Sequence, residues 1–390
     1  MSDKYILRVL YRPGIYTYLL LISACTQAAK KTSDHSTRND LQVESIDSSL
    51  HFSKDREAAI AGYFQTMHQR WQYSGSTLVY QRDSFYQWCA GSADSAHALT
   101  LKMPMQIASL SKPFCATAVM QMILKNKLKL SDSLRHFFPE LPYHSVTIEH
   151  LLSHSSGIPE YVFFADHHRT DSSGLLTNAG VIQLFAEKKP PFWFAPGKKH
   201  HYVNTNFVLL ASILEKISGK PYPALLQELI FKPLGMLQTR VLSPGESVLG
   251  MPVQGHYGNG AVFPDDYQDG TYGDKNIVST ASDLFRFYRG LRDNTLFPEV
   301  MRTVMTRVRW SHARGESDYG LGWRRREIFG EDWIFHTGWW HGFRANFYFC
   351  FTSDKCVVTL SNRLSGGFLP GTHLAAFFKP EEMQKIMSEM

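Results

Sequence analysis

Apolar residues recur along this chain with two different periods. Between Lys54 and Trp71, the residues Ile60, Tyr63, Phe64, Met67 and Trp71 fall three or four apart, which predicts an amphipathic helix with that face buried. Two shorter runs follow, Ser76 to Tyr80 and Phe85 to Ala90, separated by Gln81-Arg82-Asp83; they predict two strands joined by a turn. Helical spacing returns at Ala116, Val119, Met120, Ile123 and Leu124, and Lys125, Lys127 and Lys129 crowd the far end, where cations suit the helix dipole. Pro113 fits that helix only in its first turn, where a missing amide costs little. Residues 131 to 195 read as short helices and loops, with Ser131-Asp132-Ser133 capping one helix and Thr147 to Leu152 forming another. A longer helix, Phe207 to Ile217, comes next. Further on, Trp333 to Phe335, Ala345 to Phe351 and Cys356 to Ser361 read as strands, and a last helix near Pro380 to Met387 is placed to cover a sheet or mediate association.

One apolar run has a different meaning. Lys4, Arg8 and Arg12 precede Gly14 to Ala24, which is too short to span a bilayer as a helix, so residues 1–25 read as a targeting segment. The run ends in Ile22-Ser23-Ala24-Cys25, which resembles the lipobox of bacterial lipoproteins. That resemblance implies lipidation of Cys25 and a place in the bacterial cell envelope, anchored to a membrane on the periplasmic or outer side. Residues 26–54, rich in Ser, Thr, Asp and Lys without an apolar period, read as a flexible tether, leaving 55–390 as the folded domain.

Composition narrows the rest. With 44% hydrophobic and 13% aromatic residues in 390, there is material for a large core. The net charge of +6 is spread without a nucleic-acid-binding pattern, so no nucleic-acid partner is expected. Cys350 and Cys356 flank a five-residue segment, and a tight hairpin would set them opposite each other for a bridge; equally, both can be buried strand residues. Cys89 and Cys115 read as core. His150 and His154 stand at i, i+4, but no carboxylate or third imidazole accompanies them, so packing and loop-fixing roles are expected. His167-His168 and His200-His201 look incidental, and Arg324-Arg325-Arg326 reads as a solvated strand end. The Asp265, Asp266, Asp269 and Asp274 group lacks the spacing of a calcium loop. No metal or organic cofactor is implied, and the oligomeric state is not legible.

Three stretches carry chemistry. Ser109 and Lys112 lie three apart; on a helix they share a face and bring hydroxyl and amine within hydrogen-bond reach, the geometry of an activated serine. No other Lys in the chain has a Ser three residues before it. Tyr202 and Asn204 follow a Pro196-Gly197 turn and precede a helix, so a loop presents them. His336-Thr337-Gly338 joins two strand-like runs, and Gly338 allows a close backbone approach beside a reactive serine.

In this order, Ser-x-x-Lys, Tyr-x-Asn and His-Thr-Gly resemble the motifs of the serine beta-lactamase and penicillin-binding-protein superfamily, and most of all its class C beta-lactamase-like branch of DD-peptidases and esterases. The resemblance spans roughly residues 55 to 365. It implies an α/β (α+β) fold: an antiparallel sheet flanked by the terminal helices, a helical region over about 100 to 290, and the nucleophile at their junction. It implies that Ser109 attacks an amide or ester carbonyl, with Lys112 and Tyr202 sharing the proton, and that water later releases the acyl group. Asn204 would orient the substrate amide and Lys112, and the amides of Ser109 and Trp339 would hold the oxyanion. His336, Thr337, Gly338 and Trp339 would line the substrate. His336 stands where beta-lactamases usually carry Lys, which replaces a fixed cation by a group only partly charged near neutrality and argues against efficient beta-lactam hydrolysis. Arg344 could then receive a substrate carboxylate, and Trp339 or Trp340 could narrow the acyl pocket. The rival expectation is a catalytically silent envelope lipoprotein that binds peptidoglycan-type fragments in the same cleft.

Overall fold

A computed structural model of the chain describes residues 51–169, 174–246, 250–312, 317–367 and 369–389. Cys25 and the expected signal segment lie outside these residues, as does the expected tether up to residue 50.

Helix α1 (Lys54–Trp71) carries Asp55 and Glu57 in its first turn and His68 and Arg70 in its last, charges that suit the two ends of the dipole. Ile60, Tyr63, Phe64 and Met67 are buried as their spacing requires, but Trp71 is 39% exposed. It is the last helical residue, and Gln72 turns the chain away in the left-handed region, so no further turn holds the indole on the core. The hairpin of β1 (Gly75–Gln81) and β2 (Ser84–Ala90) follows as expected, with Arg82 at its tip in the left-handed region (φ 53°).

The middle of the chain supplies β3 (Met105–Gln106), α2 (Ser111–Leu124), α3 (Ile148–Leu152), α4 (Tyr161–His168), α5 (Asn178–Lys188), α6 (Thr205–Ser218), α7 (Tyr222–Leu226), β4 (Arg240–Val241), β5 (Ile277–Ser279), α8 (Ala281–Arg292) and α9 (Glu299–Thr306). Its three short strands form a small antiparallel sheet in the order β3-β5-β4. Then come β6 (Asp318–Tyr319), β7 (Arg324–Ile328), β8 (Glu331–Trp340), β9 (Phe343–Cys350), β10 (Lys355–Ser361), α10 (Gly371–Ala376) and α11 (Pro380–Glu389).

The main sheet is antiparallel and runs β2-β1-β10-β9-β8-β7-β6, so β1 is closed against a strand from the far end of the sequence, Gly75 facing Ser361. Both faces are covered, which is why the central strands read as unbroken apolar runs. In Cys356-Val357-Val358 the alternation is visible: Cys356 and Val358 join the core shared with α2, α6 and α8, whereas Val357 joins the core beneath α1 and α11. The first of these faces is called inner below, the second outer.

The same alternation decides the fate of Cys350 and Cys356. The register sets Cys350 opposite Lys355 and Cys356 opposite Phe349, with Cys350 in the outer core and Cys356 in the inner one. The bridged alternative therefore falls: both are free, buried strand thiols, one on each side of the sheet. Cys115 is buried in the inner core, and Cys89 packs against it from its edge.

Candidate active site

The chain enters α2 through a strained turn. Ala108 has φ 48°, in the region that costs any residue but glycine, and Ala108–Leu110 makes a single 3-10 turn before α2 begins at Ser111. Ser109 thus stands on the turn, just ahead of the helix. The Ile107 amide anchors this turn by donating to Ile277 O at 2.9 Å. Lys112, fully buried in the first turn of α2, donates to Ser109 Oγ (3.0 Å), Asn204 Oδ1 (2.7 Å) and the Asp274 carbonyl (2.9 Å). Those three bonds account for every hydrogen of an ammonium. Burial lowers its pKa to about 8, while Asp274 and Glu160 pull it back up and Arg324 pushes it further down.

Tyr202 and Asn204 arrive on the loop ahead of α6. The Tyr202 hydroxyl is hydrogen-bonded to Ser109, and the Lys112 ammonium lies 5.0 Å from the centre of its ring. Burial raises the phenol above its ordinary pKa; Arg324 and the bond to Ser109 oppose that rise. Arg324 stacks its guanidinium 5.1 Å from the Tyr202 ring and 5.7 Å from that of Tyr319. It is therefore not the solvated strand end that its run of arginines suggests.

Strand β8 closes the other side. A Cβ on Gly338 would lie 2.0 Å from Ile107 O and 3.2 Å from Ser109 N, so only glycine lets the strand come this close to the turn. His336, one pleat earlier on the same face, is buried and held at both nitrogens. Val203 N–H donates to His154 Nδ1 (3.2 Å), which leaves His154 Nε2–H to donate to Tyr319 Oη (3.1 Å). Tyr319 O–H then donates to His336 Nε2 (3.3 Å), and His336 Nδ1–H donates to the Thr337 carbonyl (2.8 Å). Burial, with Arg324 and Lys112 nearby, pushes the His336 pKa well below its ordinary value. The expectation of a partly charged His336 is corrected: the imidazole is neutral and turned into the protein. His154, far from being a metal ligand, is the first link of this relay, and His150 serves in the cap of α3 with Thr147. His200, expected to be incidental, pairs with His312 at 3.0 Å.

Trp340 lies on the same face of β8 as Gly338, and its indole N–H donates to Asp269 Oδ1 at 2.7 Å. Trp339 and Arg344 do not join this group. They pair across β8 and β9 on the outer face, with the Arg344 guanidinium 5.9 Å from the Trp339 ring and Arg344 Nε donating to Leu364 O at 3.0 Å. Arg344 points away from Ser109, so its expected carboxylate-binding role is withdrawn.

Three buried charges near Lys112 carry no local signature. Glu160 accepts the Asn204 amide at 2.7 Å, and Asp274 accepts the Tyr161 hydroxyl at 2.9 Å. Lys275 donates to Thr271 Oγ1 at 2.7 Å, to Asp274 Oδ2 at 3.3 Å and to Tyr161. Glu160 comes from one segment and the neighbours Asp274 and Lys275 from another, and their only sequence signal is a charge set among apolar or small residues.

The model of one protein family, described as Beta-lactamase, matches residues 63–376, which include all three motif stretches. The chain belongs to the Beta-lactamase family. It is a serine hydrolase of the beta-lactamase and penicillin-binding-protein type. It is 32% identical over 329 residues to Penicillin-binding protein 4* of Bacillus subtilis (strain 168), covering 77% of this chain and 70% of that one. A D-aminopeptidase of Brucella anthropi is 24% identical over 319 residues, and there the match covers 80% of this chain but 60% of the longer relative. Among solved structures, a penicillin binding protein from Bacillus halodurans superimposes with a TM-score of 0.70 at 23% identity, covering 84% of this chain and 99% of that one. The D-amino acid amidase from Ochrobactrum anthropi SV3 does so with a TM-score of 0.70 at 21% identity, covering 85% and 99%. These structural likenesses establish the beta-lactamase-type fold.

Proposed function

We propose that this family member cleaves an amide or ester through an acyl-enzyme on Ser109, as a DD-peptidase, amidase or esterase rather than an efficient beta-lactamase. The observation that carries the reading is the buried Lys112 amine, bonded at once to Ser109 Oγ, Asn204 Oδ1 and the Asp274 carbonyl. Lys112 gives up a proton near pH 8, whereas Tyr202 holds its own more tightly than a free phenol. Neutral Lys112 is therefore the base: once deprotonated, its lone pair faces Ser109 Oγ and takes that proton as Oγ bonds to the substrate carbonyl carbon. The amides of Ser109 and Trp339 receive the oxyanion, a contribution worth about a hundredfold or more in rate. As the bond to the leaving amine or alcohol breaks, Tyr202 passes it a proton and is refilled from Lys112. Water then attacks the ester, and its proton returns to Ser109 by the same groups.

The neutral His336 supports the choice of substrate, because β8 then presents no fixed cation to a beta-lactam carboxylate. The likeness to Penicillin-binding protein 4* and to D-aminopeptidases supports small peptides or amino-acid derivatives. Incubation with a panel of penicillins and activated esters, read by intact mass, is expected to give a covalent adduct that Ser109→Ala abolishes. No adduct and no turnover with any panel member would shift the reading to a silent binding protein. We further propose that residues 1–25 direct export and that Cys25 carries the lipid anchor, on the strength of the basic, apolar and Ser-Ala-Cys pattern. Cys25→Ser is expected to move the protein from the membrane fraction to the soluble one, and unchanged fractionation would sink the anchor.

A further inference from the structure

Glu160 is a buried carboxylate that the steps above leave unused. It closes the loop from Ser153 and opens α4, accepting the Val162 amide at 3.3 Å through Oε1. Its other oxygen, Oε2, accepts the Asn204 amide at 2.7 Å. One side chain thus fastens together two segments that both reach Lys112. Asn204 takes the Lys112 amine on Oδ1, and α4 carries Tyr161, whose hydroxyl holds Asp274, the residue whose carbonyl also takes that amine.

We propose that Glu160 is a positioning residue of this site: its carboxylate holds Asn204 against Lys112 and, as the counter-charge, sets the pH at which Lys112 becomes the base for Ser109. This rests on the reading that Lys112 takes the Ser109 proton.

The charges around Glu160 make the argument specific. Lys112 faces it from α2, Asp274 from the loop ahead of β5, Tyr202 from the loop ahead of α6, and Tyr161 from its own helix. Lys275 bonds to Asp274 Oδ2, Thr271 and Tyr161, which pairs its charge with Asp274. Both oxygens of Glu160 bond to backbone amides, among the described residues no side-chain cation is bound to it, and its charge acts through the field on Lys112. Burial, the largest influence, raises Glu160 to about 7, close below Lys112, so the two titrate in neighbouring ranges. A charged Glu160 favours the Lys112 ammonium; a neutral one does not. Removing the charge therefore lets Lys112 deprotonate at lower pH.

Glu160→Gln keeps an oxygen for one amide and cannot ionise. Acylation by p-nitrophenyl acetate is expected to rise with pH along the Lys112 limb in the parent protein, and along a limb roughly half to one unit lower in the variant. The gain is largest between about pH 7 and 8, where Glu160 is charged in the parent and the variant reaches about one and a half times the parent's fraction of plateau; below about pH 7 the two limbs converge because Glu160 is already protonated. A limb at the same pH, with only a lower plateau, is what a purely structural role gives, and it overturns the proposal. The Lys112 titration followed by Cε NMR separates this failure from failure of the acyl-enzyme reading. A protein that never acylates but whose Lys112 titration still moves acidward in the variant discards the nucleophile and keeps the electrostatic role. An unmoved Lys112 titration discards the role itself. Should the variant not fold, infrared spectra of the parent protein with labelled glutamate decide: a protonated carboxyl that ionises along with the acylation limb upholds the proposal, and glutamates all ionised below about pH 5.5 overturn it.

Discussion

His336 shows what burial does to a side chain that the sequence alone leaves half charged. The folded protein keeps it neutral, while the unfolded chain takes up a proton at the ordinary imidazole value, about 6.5. The folded state therefore binds fewer protons in that range, so the stability His336 contributes is complete above about pH 6.5 and is lost as pH falls below it. The stability difference between the parent protein and His336→Gln is expected to narrow by about 1.4 kcal/mol for each pH unit below that point. Urea titrations at several pH values check this, and a constant difference would mean that His336 is not held neutral. At this scale, legibility follows distance along the chain. Ser109 with Lys112, and Tyr202 with Asn204, fall within a few residues of each other and could be read together. Glu160, Asp274 and Arg324 could not: each comes from its own segment, and what marks them is burial or stacking, which no spacing reports.

Among the elements, the strands were the more legible because β1, β8, β9 and β10 are apolar on both faces and so read as unbroken runs. What alternation hides is which side each residue takes once both are buried. That is why Trp339 and Trp340 looked equivalent, though one lies on the outer face with Arg344 and the other turns inward to Asp269. Helix α1 was legible except at its end, where Gln72 releases Trp71. The outer layer it builds packs an apolar core of its own, on the other face of the sheet from the catalytic groups: Phe64 stacks on Phe377 at 5.4 Å, and Tyr63 is hydrogen-bonded to His373 at 2.8 Å. Phe64→Ala is expected to cost about 3–5 kcal/mol of stability, read from the urea midpoint. The rate of acyl-enzyme formation by the folded fraction should not change. A slowed rate would show that the outer layer is coupled to the Ser109 turn through the sheet.

For the molecule as a whole, the pairing of β1 with β10 ties the start of the described chain to its end, and the helical region is threaded between them. The sheet assembled this way is also a partition. Cys350 and Cys356 stand within six residues of each other, yet the sheet itself separates their sulfurs, and burial holds the Cys356 thiol well above its ordinary pKa. Neither can reach the other while the strands stay paired. The urea midpoint should therefore be the same with and without dithiothreitol, and a fall in the reducing samples would sink the idea. Folding of the described domain therefore draws on no bond between these two thiols, and their strands come together without an oxidising step.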